Sequence, residues 1–211
     1  MNRKIGIFLL LGFAASTAQA DTLMTTREGT LRPGADAAQD KGSTVRFWSG
    51  SDRMARIDDR GKMISDLESG VTYLLNDQAK SCFAIPRQQI DAEGGTAGQV
   101  EVRETNETRQ IGPWQAKVYE LTAIMDGEPI EISVWVSEDV SVDVGGLRAY
   151  TASRLTPEMT WMLKMFDLGG YPVRQEVRMG PIRSWGELVA VEEKSAPAGT
   201  YDIPAGYSGC D

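Results

Sequence analysis

Histidine and cysteine, which carry much of the acid–base and metal chemistry of proteins, are scarce in this chain. Its 211 residues include no histidine and two cysteines. Without histidine, Ser-His-Asp and Cys-His triads are excluded, as are zinc and haem sites that use imidazole ligands. Catalysis would have to depend on carboxylates, lysine or the cysteines. We therefore predict that the protein is not an enzyme and uses neither a cofactor nor a metal.

Carboxylates are abundant, but none of them stands in a pattern that is specific to a reaction. Asp58 and Asp59 occur in "IDDRG", a composition that is typical of a turn. Glu138, Asp139 and Asp143 occur in "VSEDVSVDVGG", which we interpret as a loop. Oxygen ligands of this kind suit calcium, but their spacing does not match an EF-hand. We predict that neither group is a catalytic pair or a metal site.

The segment 87–99 is polar and rich in glycine, and it contains "GGTAG" at 94–98. It lacks the Lys-Ser/Thr pair of a P-loop and the glycine spacing of a dinucleotide-binding fold. The segment is predicted to be a surface loop and not a cradle for phosphate.

The first 20 residues have the features of a secretory signal peptide. Arg3 and Lys4 precede the apolar run "IGIFLLLGFAA", and Ala18-Gln19-Ala20 supplies small residues directly before Asp21. The apolar run is too short to span about 30 Å of hydrocarbon. We predict cleavage before Asp21 and a periplasmic protein that has no membrane-spanning segment after cleavage.

The charge and the cysteines fit an exported protein. The net charge is −8, and the chain without Arg3 and Lys4 is more acidic still. An acidic surface disfavours nucleic acid and anionic lipid headgroups as partners. In an oxidising compartment Cys82 and Cys210 are expected to form a disulfide, and two free thiols are the alternative.

Short stretches of alternating apolar and polar residues, separated by turn residues, predict an antiparallel meander. The best of them is "QIGPWQAKVYELTAIMDGEPIEISVWVSE", residues 110–138. Asp126-Gly127 favours a two-residue hairpin turn. With that turn, one face of the hairpin carries the pairs Met125–Glu128, Ala123–Ile130, Leu121–Ile132 and Tyr119–Val134. The other face, more polar, carries the pairs Thr122–Glu131, Glu120–Ser133 and Val118–Trp135.

A helix is predicted late in the chain, in "TPEMTWMLKMFDLGG". Thr156 is a plausible N-cap, Pro157 suits the first helical position, and Gly169 or Gly170 would end the helix. Its apolar positions recur with helical spacing; they are Met159, Met162, Leu163 and Phe166. The stripe requires an apolar partner, which the hairpin face offers. After the helix, "GYPVRQEVRMG" and "GELVAVEEKS" predict another pair of strands.

Several of these segments, in this order, resemble a family of exported bacterial proteins of unassigned function. They are "ETRQIGPWQAKVYELTA", "GEPIEISVWVSEDV", the strand start Gly169–Val173, the terminal Ile203–Tyr207 and, upstream, "GVTYLLNDQAKSCFAIP". The resemblance covers roughly residues 44–207. That family is similar in architecture to the periplasmic lipoprotein-carrier superfamily of LolA and LolB, whose curved sheet and helices enclose a cavity for acyl chains.

The resemblance implies a mainly β (α+β) fold. This would be a curved antiparallel sheet, or half β-barrel, of about 9–11 strands, with one late helix over its concave face. The predicted organisation is a cleaved signal peptide at 1–20, an N-terminal segment at 21–43 that is a first strand or extended, and a single LolA-like domain at 44–211.

A sheet covered by a helix creates an apolar cleft, so we predict a non-catalytic protein that binds an apolar small molecule or lipid acyl chains. The residues expected to contact the ligand are Tyr119, Leu121, Ile132, Val134, Met162 and Phe166. If the helix packs tightly, the same residues are core. One alternative is an assembly module that docks another envelope protein, with Trp135 at the contact. Another is a histidine-free hydrolase.

Overall fold

The computed structural model describes residues 20–31, 42–86, 100–125, 127–152, 155 and 157–210. The predicted signal peptide, except Ala20, and the predicted loop 87–99 lie outside these residues, as do Asp126 and Thr156. The strands are β1 (Thr22–Leu31), β2 (Ser43–Ser49), β3 (Arg53–Asp58), β4 (Gly61–Asp66), β5 (Thr72–Asn76), β6 (Ser81–Ile85), β7 (Glu101–Ile111), β8 (Trp114–Met125), β9 (Glu128–Ser137), β10 (Tyr171–Met179) and β11 (Ile182–Glu193). The helices are α1 (Val144–Ala152) and one 3-10 helix (Pro157–Asp167).

The strands form one open antiparallel sheet in the order β6-β5-β4-β3-β2-β1-β11-β10-β9-β8-β7. Strands that follow each other in the chain pair along two meanders, β1–β6 and β7–β11, and the pairing of β1 with β11 joins them. The predicted mainly β fold is confirmed, and the sheet with its helices is consistent with a curved half-barrel. None of the helices in the described residues is long and apolar enough to cross a membrane.

The predicted hairpin is β8–β9, and its register is confirmed residue by residue. Leu121 pairs with Ile132 and Thr122 with Glu131. Gly127 has φ +82°, a conformation that glycine adopts without strain and that a tight hairpin turn requires. The alternation of apolar and polar residues determines this register, because a shift by one residue would expose the apolar face.

The late helix begins at Pro157 and ends at Asp167, near the predicted limits, but it is a 3-10 helix. Its buried side chains are Trp161, Leu163 and Met165, whereas Met162 and Phe166 are only partly buried. Trp161 and Met165 pack against the apolar face of the hairpin. The predicted contact between helix and hairpin is therefore confirmed, with different side chains at its centre.

The prediction of one helix was incomplete, because a second helix, α1, begins within the stretch interpreted as a loop. Asp143 ends that loop and caps the helix: its carboxylate accepts a hydrogen bond from the backbone N–H of Gly146 at 2.9 Å, and its carbonyl accepts one from Leu147. The sequence pattern does not predict α1, because glycines occupy its first turn and its apolar stripe is short. The buried residues of this stripe are Leu147 and Tyr150.

The C-terminal tail, residues 195–210, packs on the outer face of β1–β6. Tyr201 contacts the cluster of Leu23, Trp48 and Ala55. Farther along, Ile203, Tyr207 and Cys210 contact Ile64, Leu75 and Cys82. The predicted disulfide is present between Cys82 and Cys210, whose Cα atoms are 4.9 Å apart. The bond fixes the tail to β6.

The two edges of the sheet differ. On β6, the backbone of Ser208 bridges the strand: it accepts a hydrogen bond from Cys82 and donates one to Lys80. On β7, nearly every side chain is exposed, and the ladder to β8 is interrupted between Glu104 and Thr108. Asn106 lies in this interruption with φ +59°.

The disulfide makes a testable contribution to stability. It closes a loop with a sequence separation of 128 residues. We expect the double substitution Cys82→Ser/Cys210→Ser to lower the free energy of unfolding by roughly 4–5 kcal/mol, because the unlinked unfolded chain has more conformations. Denaturant titration with and without reductant measures this. Reductant should destabilise the native protein and leave the variant unchanged; equal stability of both proteins would refute the expectation.

Candidate ligand-binding site

A cavity of about 980 Å³ lies between the inner face of the sheet and the two helices. Its walls come from β1–β4 on one side, from β10 and β11 on the other, and from α1, Leu155 and the 3-10 helix. Strands from both meanders thus surround one space, as expected of a sheet that curves around its covering helices.

Slightly more than half of the cavity wall is apolar, and much of this apolar part is methionine. The methionines are Met24, Met63, Met159, Met162 and Met165. Other apolar residues of the wall include Phe47, Leu147, Leu155, Phe166 and Leu188. Methionine is unbranched and its sulfur is polarizable, so such a wall adapts to ligands of varied shape.

Three charged residues of the wall, Glu28, Arg56 and Arg60, form one ion-paired group with Asp58. Arg56 donates hydrogen bonds to Glu28, at 2.9 Å, and to Asp58, and its side chain is 17% exposed. Arg60 donates to the same Asp58. The guanidinium of Arg56 also lies over the ring of Phe47, 5.8 Å from its centroid. Its positive charge is therefore already satisfied by protein groups.

Asp58 is the most buried member of this charged group and is bonded to the protein backbone. Its side chain is 3% exposed, and its carboxylate also accepts hydrogen bonds from the backbone N–H groups of Arg60 and Gly61. Burial alone would raise the pKa of Asp58, but the N–H of Arg60 and the charge of Arg56 outweigh it, so this pKa lies below its usual value. Asp58, predicted as part of a turn, is the last residue of β3 and lies directly before that turn, where it also holds Arg56 in place.

The remaining polar groups of the wall differ: Tyr171 is neutral, Glu187 is paired, and Asp59 is an exposed carboxylate. Burial raises the pKa of Tyr171 to about 12, so its hydroxyl remains uncharged near neutral pH. Glu187 pairs with Arg174, which belongs to an ion-pair network with Glu176 and Arg183. No group of His, Cys, Asp and Glu side chains that could hold a metal ion is found among the described residues.

The structure separates the six residues expected to contact a ligand. Met162 and Phe166 line the cavity. Leu121, Ile132 and Val134 are at most 1% exposed in the core beneath the 3-10 helix, and Tyr119 packs against that core. A smaller, mostly polar hollow of about 320 Å³ touches Leu121 and Ile132. The tight packing considered for the helix is thus realised over the hairpin, and the cavity opens beside it.

Sequence reasoning missed the wall formed by β1, β2 and β11. Met24, Phe47 and Leu188 lie on this wall. Apolar and polar residues alternate in these strands. The pairing of the first strand with the last cannot be predicted from this alternation, because it depends on contacts between residues far apart in the sequence. A local pattern could have identified part of this wall: the two-residue spacing of Met24, Thr26 and Glu28 places all three side chains on one face of β1.

Trp135, the residue considered as a contact for a partner, is partly buried on the outer face. It pairs with Val118 and Arg174 in the neighbouring strands, and the guanidinium of Arg174 lies 5.5 Å from its ring centroid. The indole is therefore covered by an arginine of its own chain.

The lowered pKa of Asp58 predicts a pH-dependent stability. Its ionised form stabilises the fold above pH about 4, and this contribution is lost as the pH falls through the lowered native value. We expect Asp58→Asn to lower the unfolding free energy at pH 7 by roughly 1–2 kcal/mol, because Arg56 loses an acceptor, and to weaken the acid dependence. Denaturant titrations from pH 7 to pH 3 measure both. Asp59→Asn, at an exposed neighbour, is the control; equal effects of the two substitutions would contradict the assignment.

The comparisons with known proteins concern the family and not the ligand. A sequence model of the family described as "Domain of unknown function (DUF4412)" matches residues 46–207. No curated protein matches the sequence significantly. The matched range begins in β2, ends in the tail, and includes both helices and most of the cavity wall. The expected membership of a family of unassigned function is thereby confirmed. Since the match covers well over half of the chain, the protein belongs to the DUF4412 family.

Proposed function

We propose that this protein is a non-catalytic, periplasmic binding protein for an apolar small molecule or the acyl chain of a lipid. The observation that carries the proposal is the cavity between the sheet and the helices. Its volume of about 980 Å³ lies at the upper end of the range for small-molecule pockets.

The wall of the cavity supports an apolar ligand. Transfer of apolar surface from water to such a wall yields about 25 cal/mol per Å², from which the costs of ordering the ligand are subtracted. The methionines of the 3-10 helix, Met159, Met162 and Met165, can adjust their rotamers to the ligand. Binding would be an equilibrium burial that needs no reaction.

The charges at the cavity support a ligand without an anionic group in the site. Arg56 is bonded to Glu28 and Asp58, and Arg60 to Asp58. To pair with Arg56, a phosphate or carboxylate would have to displace Glu28 or Asp58 from a partly buried position. An uncharged group, or a charged group that stays in water, binds without breaking these ion pairs.

The periplasmic part of the proposal depends on the signal-peptide features of residues 1–20 and is supported by the disulfide. The same architecture would fit a likeness to the lipoprotein-carrier superfamily, in which helices lie over the concave face of a curved sheet. In the described part of the chain two helices cover the sheet, which is closer to that architecture than the single helix expected from the sequence.

The first test is native mass spectrometry of protein purified from the periplasm without detergent, followed by solvent extraction. We expect a discrete adduct that extracts as an apolar molecule. A bare mass, found again after incubation with membrane lipids, would refute the proposal and direct attention to protein partners.

A variant pair locates the binding. Met162→Glu introduces a charge into the cavity wall and should lower the affinity for the neutral fluorophore N-phenyl-1-naphthylamine at least about tenfold. Met179→Glu is the matched control, since Met179 is also partly buried beside the hairpin core but does not line the cavity. Fluorescence titrations and melting curves of both variants separate loss of binding from loss of folding. Equal losses of affinity would place the ligand elsewhere.

A further inference from the structure

A single row of side chains crosses the inner face of the sheet from the cavity to the β6 edge. Directly paired residues in successive strands form it: Met24, Phe47, Arg56, Met63, Leu74 and Phe83. Side chains of paired residues lie on the same face of a sheet. The row is therefore one continuous track over β1–β6.

The row changes from covered to uncovered along its length. Its members from Met24 to Met63 line the cavity. Leu74 and Phe83 lie beyond the cavity and are 37% and 64% exposed. Few large apolar side chains in the described residues are as exposed as Phe83, and it is paired with Leu74. Adjacent exposed apolar side chains are typical of surfaces that bind a ligand, a membrane or another protein.

Arg56 does not interrupt the track. Its guanidinium is held by Glu28 and Asp58, so its aliphatic stem remains as the part that continues the surface between Phe47 and Met63. A charge that is satisfied within the protein leaves a track suited to hydrocarbon.

We propose that the ligand is an elongated apolar chain that begins in the cavity and continues over Met63, Leu74 and Phe83 to the β6 edge. The inference rests on the proposed function and specifies its ligand class. Strands are about 4.8 Å apart, so the row from Met24 to Phe83 spans roughly 24 Å. A long alkyl chain has this length, and a compact molecule would leave the outer part of the track empty.

A second copy of the protein is a less suitable occupant of the exposed part. Joining two sheets at β6 would require its free backbone groups, but the start of the strand is bridged by Ser208, held there by the bond between Cys82 and Cys210. Leu74 and Phe83 are exposed to solvent and Met63 lines the cavity, while the edge beside them is partly closed.

The test compares an uncharged long-chain and an uncharged short-chain ligand, glyceryl monooleate and glyceryl monooctanoate, by displacement of N-phenyl-1-naphthylamine. Phe83→Ser should lower the affinity for the monooleate about tenfold and leave that for the monooctanoate unchanged, because only the long chain reaches β6. Phe83→Leu keeps an apolar side chain and should retain most of the affinity. Ile124→Ser is the matched control, since Ile124 is 47% exposed on β8.

The outcomes distinguish this inference from the function on which it rests. If the native protein binds neither ester, the proposed function fails. If it binds both and Phe83→Ser changes neither affinity, or both equally, the elongated ligand is refuted while the cavity remains a binding site. Sedimentation velocity of the native protein and of Phe83→Ser completes the test. A native dimer that Phe83→Ser converts to monomer would assign the exposed part of the track to a second copy and overturn the inference.

Discussion

The pairing of β1 with β11 is the contact on which the rest of the structure depends. Each meander is built from strands that are neighbours in the chain, whereas this pairing brings together the beginning and the end of the sheet. A register shift after Thr25 bends the pair, as bulges do. Met24 and Leu188, on either side of the junction, are at most 2% exposed and belong to the cavity wall. Without the junction, each meander would keep its hairpins but neither would enclose a space.

The sequence predicts local features of this fold better than remote ones, and the reason is physical. The β8–β9 register follows from alternation and a two-residue turn, both encoded within a short stretch. The late helix was located by Pro157 and Gly169, but its 3-10 geometry and its buried Trp161 depend on the surface beneath it. Helix α1 was missed because its stability comes from packing of Leu147 and Tyr150, which propensity does not reveal.

In the candidate site, too, local features could be predicted from the sequence and contacts between distant segments could not. Met162 and Phe166 were identified because they lie on one helix near the hairpin. The opposite wall comes from β1, β2 and β11, whose proximity arises only when the whole sheet is assembled. The disulfide was predictable from composition and compartment, but the path of the tail across the outer face was not, since its contacts, such as Tyr201 with Trp48, are far apart in the chain.

The charged group around Arg56 gives the cavity a defined chemical character. An arginine on an apolar wall would attract anions if its guanidinium were free. Glu28 and Asp58 occupy it instead, and Asp58 is itself held by two backbone N–H groups. The result is an internally paired polar group beside a methionine surface whose side chains can change their rotamers.

The exposed strand β7 has a consequence for the behaviour of the protein in concentrated solution. An edge strand of this length could template fibre growth, since its unpaired backbone groups recruit further strands. Its exposed charged side chains, such as Arg103 and Glu107, and the interruption at Asn106 oppose such growth. The β7 edge therefore resists amyloid-like polymerisation, although the inner face of the same sheet carries exposed apolar side chains such as Phe83.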